Sequence, residues 1–209
     1  MKKNIQDLLG DWPQYFIRDV DLAMILGKTD DARYSIIKRA TKAGLLIRIK
    51  RGLYLIARKA KTLDEFELAL YVYSPSFVSL ESALSYHGWI PEAVYTTTCV
   101  STKRAKEFKT PVGVFSYKRV PADGFYNGVD RIVTKKGAVF IATPWRALAD
   151  FMYINRRSWE NLAQLSEDLR IDMYVLIEGD KKQFELLIKN YPSCCVRENL
   201  KIFKEEGKK

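Results

Sequence analysis

Hydrophobic residues recur at helical spacing through the first 45 residues, and glycines separate the segments that carry this pattern. Asp19 and Asp30 stand where a side chain caps the start of a helix, and Gly27 and Gly44 stand where helices end. The pattern therefore predicts three helices and a short extended segment, over 5–12, 16–17, 20–26 and 30–43.

Two apolar runs follow the third predicted helix. Residues 45–50 and 53–57 favour strands, and Arg51–Gly52 joins them with a glycine that supplies the positive φ of a tight hairpin. Two helices separated by a short turn and followed by a hairpin are typical of a winged helix-turn-helix. The first 60 residues are thus predicted to form a winged helix-turn-helix domain.

In the rest of the chain, segments with the apolar spacing of helices alternate with segments typical of strands. Thr62 and Glu65 form a capping-box pattern, and the hairpin signals are Pro111–Gly113 and Lys136–Gly137. The predicted helices are 63–72, one that starts at Ser79 or Ser82 and ends near 87–88, 144–154, 159–169, 181–190 and 196–205. The predicted strands are 94–101, 107–110, 114–120, 131–135 and 138–142. The fold class is therefore α+β, and residues 61–209 form a domain with a small, mainly antiparallel sheet and C-terminal helices. A basic linker, 58–61, joins the domains.

Positive charge is concentrated in one part of the chain. Lys28–Lys61 holds eleven basic and two acidic residues, a local charge of +9, whereas the whole chain carries +10. A basic helix next to a basic hairpin is what a winged helix presents to a DNA duplex. We expect double-stranded operator DNA to be the partner of this region.

The helix over 30–43 is amphipathic, and its polar face combines cations with side chains that can reach base edges. Tyr34, Lys38 and Lys42 are the best candidates for entering a groove, whereas cations of the hairpin position the protein on phosphates. The residues predicted to contact DNA are Lys28, Arg33, Tyr34, Ser35, Lys38, Arg39, Thr41, Lys42, Arg48, Lys50 and Arg51.

A second group of cations lies in the α+β part of the chain. Its segment STKRAKEFK spans residues 101–109 and offers either a second surface for a polyanion or a solvated strand end. Cations on the two predicted hairpins extend this surface if the hairpins are adjacent. The candidate residues are Lys103, Arg104, Lys106, Lys109, Arg119 and Arg131, with Lys135 and Lys136 beside them.

Signals of catalysis, metal binding or membrane insertion are missing from the sequence. There is no HExxH, P-loop or GxSxG motif, and Asp123, Asp130 and Asp150 are too scattered to define a metal site. No apolar run reaches the length of a membrane span, and three cysteines without a CxxC pair fit a reducing compartment. We expect a cytoplasmic protein that is not an enzyme and uses no cofactor and no metal.

Five segments together resemble the AbiEi family of antitoxins. They are RGLYLI at 51–56, VSLESALSYHGWIPE at 78–92, TTTCVSTKRAKEF at 96–108, VGVFSYKRV at 112–120 and FIATPWRALADFMYI at 140–154. Arg146 matches a basic position of the family, whereas Trp145 stands where a charged residue is expected. A polar cluster in the second segment, which includes Ser79, Ser82 and His87, is expected to cap and pack a helix.

The resemblance implies a type IV toxin–antitoxin system of phage defence. The N-terminal domain would bind inverted repeats and repress its own operon, as a monomer that binds cooperatively or as a dimer. The C-terminal domain would counteract a nucleotidyltransferase-like toxin, with or without a stable complex. The alternative is a stand-alone winged-helix regulator whose second domain senses a ligand or oligomerises; a nuclease-like effector is a third.

Overall fold

The computed structural model describes residues 4–60, 63–134 and 137–207, so the predicted contributions of Lys61, Thr62, Lys135 and Lys136 lie outside the described residues. The chain divides into two compact units. The N-terminal unit comprises Met1–Glu65 with Phe108–Gly113, and the C-terminal unit comprises Phe66–Glu107 with Val114–Lys209. The predicted domain limits, 1–60 and 61–209, stay a prediction.

The N-terminal unit contains four helices and a three-stranded antiparallel sheet among its described residues. In chain order they are α1 (Ile5–Asp11), β1 (Phe16–Arg18), α2 (Asp19–Leu26), α3 (Asp30–Lys42), β2 (Leu46–Lys50), β3 (Leu53–Ile56) and α4 (Ala57–Ala60). The strand order is β1-β3-β2, and Phe16 pairs with Leu55 while Ile47 pairs with the same residue from the other side. The predicted helices and hairpin of this region are confirmed.

A single apolar core holds these elements together. Leu9 of α1, Ile17 of β1, Leu22 of α2 and Ile37 of α3 are buried in one cluster with Leu46 and Ile56 of the hairpin. Each fully buried aliphatic side chain of this kind contributes about 1.5–3 kcal/mol to stability. The core therefore fixes which face of α3 points inward and which remains exposed.

Local details of the N-terminal unit differ from the sequence prediction. Asp19 and Asp30 are the first helical residues, and Arg18 and Thr29 occupy the N-cap positions. The Asp21 carboxylate accepts from the Arg18 N–H at 2.9 Å. Asp19 and Asp30 instead lie in the first turn, where negative charge is favoured by the helix dipole. The predicted linker starts at Arg58. In the structure, residues 58–60 instead belong to the short helix α4.

Glu65 and the segment Phe108–Gly113 belong to the N-terminal unit. Apart from these residues, the remaining elements lie in the C-terminal unit. They are α5 (Glu65–Val72), β4 (Ser76–Val78), α6 (Leu80–Tyr86), β5 (Thr96–Ser101), β6 (Lys106–Thr110), β7 (Gly113–Arg119), β8 (Val129–Val133), β9 (Ala138–Ala142), α7 (Pro144–Asn155), α8 (Leu162–Leu169), α9 (Met173–Glu178), α10 (Lys181–Asn190) and α11 (Cys194–Glu206). The chain is thus a mixed α+β protein, as predicted.

The expectation that this sheet is small is wrong. Six strands form one sheet in the order β6-β7-β5-β4-β9-β8. Two of its pairings, β4 with β9 and β5 with β7, are parallel, and β4 with β5 and β8 with β9 are antiparallel. The missed strand β4 is three residues long and buried at every position, so it shows no alternation in the sequence.

Candidate nucleic-acid interface

The exposed face of α3 carries the residues that the sequence analysis placed in a groove. Tyr34, Lys38 and Lys42 follow one another at four-residue spacing, and all three are exposed. Ile37 and Ala40 are buried on the other side of the helix, at 6% and 2% exposure, and they set this orientation. Asp31 and Ser35 flank the row and are also exposed, as is Lys28 in the turn before α3.

Three other predicted contacts on α3 are engaged in local interactions. Arg33 is half-buried and pairs with Asp30 at 2.9 Å. Arg39 is exposed and its Nε donates to the Ser35 carbonyl at 3.3 Å, and the half-buried Thr41 hydroxyl donates to the Ile37 carbonyl at 2.9 Å. These side chains therefore lie at the margin of the exposed row rather than within it.

The β2–β3 hairpin supplies the next group of cations. Arg48 and Arg51 are exposed, whereas Lys50 is half-buried and its ammonium lies 5.7 Å from the centroid of the Phe108 ring. Gly52 at the turn has a φ of +75°, as predicted for a tight hairpin. The hairpin thus presents two arginines to solvent, with Lys50 held closer to the protein.

The start of α2 anchors this hairpin. The Asp19 N–H donates to the Gly52 carbonyl at 3.1 Å, and a side chain at Gly52 would begin 3.3 Å from an Asp19 carboxylate oxygen. Tyr54 lies opposite Arg48 in the hairpin, and burial followed by the charge of Asp19 raises the pKa of its phenol. Tyr54 therefore remains a neutral hydrogen-bonding group at the junction of α2, α3 and the hairpin, a role that the sequence analysis missed.

Two cations of the basic segment have a structural role. The Arg58 guanidinium donates to the carbonyls of Leu9 and Gly10, and the Lys59 ammonium donates to the carbonyls of Trp12 and Gln14. The last carbonyls of a helix lack partners within the helix, and cations are favoured there. Burial, and then the nearby Arg58 charge, lowers the pKa of Lys59. These residues cap the end of α1.

The second basic surface does not form one continuous patch. Lys106 and Lys109 lie on β6, at one edge of the sheet, whereas Arg131 lies on β8, at the opposite edge. Since neighbouring strands are about 4.8 Å apart, the five intervals between β6 and β8 separate these edges by roughly 24 Å. The extension to Arg131 is therefore wrong, because β4 and β5 lie between the two hairpins.

The remaining cations of that surface differ in their surroundings. The Lys103 ammonium donates to the Ser74 carbonyl at 2.5 Å and lies over the Tyr73 ring, while the Tyr73 hydroxyl donates to the Arg104 carbonyl at 3.0 Å. Arg104 and Arg119 are both exposed. Lys103 is thus bound to the end of α5 and its following turn, whereas Arg119 projects from the end of β7.

The segment 140–154, one of those that resemble the AbiEi family, contains a buried ion pair. Arg146 and Asp150 of α7 form an ion pair at 2.9 Å and are 2% and 0% exposed at their side chains. Asp150 also accepts from the Ser79 hydroxyl at 2.8 Å and from the Tyr191 hydroxyl at 2.9 Å, and Arg146 donates to the Asn127 carbonyl at 2.6 Å. This network joins α7 to Ser79 at the start of α6 and to Tyr191 at the end of α10, so Arg146 is not part of a surface.

Other residues of the resembling segments also pack inside the C-terminal unit. Trp145, which stands where the family is expected to have a charged residue, is buried with its ring 4.3 Å from that of Phe184. Ser82 accepts from the Thr98 N–H at 2.8 Å, which ties α6 to β5 as a packing role requires. The His87 ring bonds to the Ala142 carbonyl at 2.9 Å, at the end of β9, rather than to the end of its own helix.

Comparison with known proteins adds no further assignment. No protein-family model matches the chain, and no curated protein matches it. Within the described part of the chain, no helix combines the length and apolar character that crossing a bilayer needs. No group of three or more potential metal ligands lies together among the same residues.

Proposed function

We propose that this protein is a DNA-binding antitoxin of the AbiEi type. Its N-terminal unit acts as a winged helix-turn-helix that binds operator DNA and represses its own operon, and its C-terminal unit counteracts a nucleotidyltransferase-like toxin. The antitoxin role follows from the sequence resemblance. The DNA-binding role is supported by one structural observation, the exposed row Tyr34, Lys38 and Lys42 on α3, next to a hairpin that exposes Arg48 and Arg51.

The order of elements supports this assignment. Three helices, of which α2 and α3 are separated by three residues, precede a hairpin whose strands form an antiparallel sheet with β1. In a winged helix-turn-helix the second helix of the pair enters the major groove and the hairpin contacts the backbone beside it. On this basis α3 supplies the base contacts, and Arg48 and Arg51 position the protein on phosphates.

The decisive binding experiment removes two cations from the exposed row. The Lys38→Ala, Lys42→Ala double variant is expected to bind the DNA upstream of its own gene at least about tenfold more weakly in a titration at low salt. The slope of log affinity against log salt concentration should fall by up to about 2, because up to two counterion-releasing contacts are lost.

A matched control keeps the change in net charge the same. Lys189→Ala, Lys201→Ala removes two exposed lysines from α10 and α11 in the C-terminal unit, so it should leave the affinity unchanged. Equal affinity of the wild type and the α3 variant would refute the interface. Equal loss in both double variants would show that only net charge matters.

The antitoxin role is tested separately with the full chain. Co-expression with a nucleotidyltransferase-like toxin encoded beside this gene should restore growth, and the Lys38→Ala, Lys42→Ala variant should restore it equally well while losing repression. A wild-type chain that binds its upstream DNA but does not restore growth would leave the alternative, a stand-alone regulator.

A further inference from the structure

A cavity of about 610 Å³ in the C-terminal unit is lined by three arginines. Arg119 comes from the end of β7, and Arg156 and Arg157 directly follow α7. Ser158 and Ser193 add hydroxyl groups, and no aspartate or glutamate is among the lining residues. The volume falls within the range of sites for small molecules, about 300–1,000 Å³.

Two of these arginines have side chains without a partner among the described residues. Among the described residues, the guanidinium groups of Arg119 and Arg156 make no hydrogen bond, ion pair or ring contact, and both residues are exposed. Arg157 differs, since it pairs with Asp168 at 2.6 Å and stacks over the Trp159 ring. After this pairing the cavity retains two uncompensated positive charges, which match the charge of a phosphate monoester, about −1.5 to −2 at neutral pH.

Arg156 also has an unusual backbone conformation. Its φ of +50° lies in the left-handed region, where glycine or asparagine commonly ends a helix and most other residues are strained. Arg156 therefore has a less favoured backbone conformation, and its side chain is among those that line the cavity. Strain of this kind often accompanies a binding role.

The first turn of α11 also lines the cavity through Ser193, Cys195 and Val196. Ser193 is the N-cap residue and makes no side-chain hydrogen bond to the helix. The Cys195 thiol adds no negative charge at neutral pH, because its hydrogen bond with the Cys194 thiol raises its pKa. The walls of the cavity are therefore cationic or neutral.

We propose that this cavity binds the phosphoryl group of a small phosphorylated molecule, through Arg119 and Arg156, while Arg157 stays paired with Asp168. Guanidinium groups form paired hydrogen bonds with phosphate oxygens, so two unpartnered arginines provide both charge and geometry. This site is independent of the proposed DNA interface, since all its residues belong to the C-terminal unit.

The test follows the arginine Nε–H signals of the full-length protein by NMR during titration with inorganic phosphate, adenosine monophosphate and adenosine. Sodium chloride at the same ionic strength is the reference. Phosphate and adenosine monophosphate should shift the signals of Arg119 and Arg156, and adenosine should not. Tighter binding of adenosine monophosphate would identify a nucleotide site, and equal binding would identify recognition of the phosphoryl group alone.

Two variants make the result specific. Arg119→Gln, Arg156→Gly should weaken phosphate binding at least about tenfold, because two charge-assisted contacts are lost. Arg170→Gly is the matched control: Arg170 also ends a helix, α8, at a φ of +52° but does not line this cavity. It should bind phosphate like the wild type.

Three results would overturn the proposal. The first is the absence of a phosphate-dependent shift at Arg119 and Arg156. The second is undiminished phosphate binding by the Arg119→Gln, Arg156→Gly variant, which would place the anion elsewhere. The third is a parallel loss of affinity for DNA in that variant, which would make these arginines part of a DNA surface. Failure of the α3 variant to weaken DNA binding would leave this proposal intact.

Discussion

At the scale of single residues, Asp150 is a buried acid that bonds to three side chains of the C-terminal unit. Its carboxylate is fully buried and receives hydrogen bonds from Arg146, Ser79 and Tyr191. Replacing Asp150 with alanine leaves the Arg146 charge buried without its partner, a change that costs about 3–5 kcal/mol. We expect a decrease of that size in the free energy of unfolding, measured by urea denaturation.

A double-mutant cycle distinguishes the pair from simple loss of volume. Arg146→Met, Asp150→Leu removes both charges, so it should be less destabilising than the sum of its two single changes. An additive cycle would mean that the ion pair contributes no coupling and that packing alone explains the loss.

Tyr191 should make the free energy of unfolding depend on pH in the alkaline range. Burial, followed by the charge of Asp150, raises the pKa of its phenol well above the ordinary value of 10.0. The unfolded chain then loses this proton first, so the stabilisation is complete below pH 10 and is lost as the pH rises above it. Tyr117 is buried and its pKa is raised in the same direction.

The variant Tyr191→Phe isolates this contribution. Between about pH 10.5 and 11.5, its free energy of unfolding should fall less steeply than that of the wild type, by up to about 1.4 kcal/mol per pH unit. The measurement is a series of urea denaturation curves across this range. Parallel slopes for both proteins would contradict the buried, neutral phenol.

The exposure of a residue was predictable from the sequence where the apolar spacing within a single helix determines it. The exposure of Lys38 and Lys42 follows from the apolar spacing of Ile37 and Ala40. The burial of Arg146 was not predictable, because its partners Asn127 and Tyr191 are distant in the chain and no local pattern brings them together. The contact of His87 with Ala142 was not predictable for the same reason.

At the scale of elements, Arg51 and Arg58 show that similar charges in one basic segment have different roles. Arg51 is exposed at the hairpin turn, and Arg58 binds the end of α1. Arg58→Gln should lower the stability of the N-terminal unit by about 1–2 kcal/mol, because it removes charge-assisted hydrogen bonds to helix carbonyls. Arg51→Gln should leave the stability unchanged and reduce the salt slope of DNA binding by about 1.

Hydrogen exchange of α1 amides and DNA titrations over several salt concentrations measure the two effects. Each variant is the control for the other, since both lose one positive charge. The assignment fails if Arg58→Gln changes the salt slope while α1 remains protected, or if Arg51→Gln opens α1.

Elements joined by short connections were predictable, whereas long-range strand pairing was not. The hairpins of β2 with β3 and of β8 with β9 join neighbours in the sequence, and both are signalled by glycine turns. The parallel pairing of β4 with β9 joins Val78 to Ile141, and nothing in either segment specifies the other. The mixed sheet, and with it the separation of Arg131 from β6, therefore required the structure.

At the scale of the whole molecule, the concentration of charge in one segment is the feature that connects sequence and proposed function. The segment Lys28–Lys61 carries +9 of the net +10. Part of this charge caps α1, part is exposed on α3 and the hairpin, and the C-terminal unit has its own cationic cavity. A simple charge count predicts a polyanionic partner, but only the structure separates these roles.

The most direct test of the proposed DNA interface is hydroxyl-radical footprinting of exposed tyrosines with and without the upstream DNA. Tyr34 is 67% exposed on α3, and Tyr95 and Tyr174 in the C-terminal unit are 92% and 71% exposed, so all three react in the unbound protein. Saturating DNA should strongly reduce the oxidation of Tyr34 and leave Tyr95 and Tyr174 unchanged. Unchanged oxidation of Tyr34 in the bound protein would contradict the placement of α3 in the DNA groove.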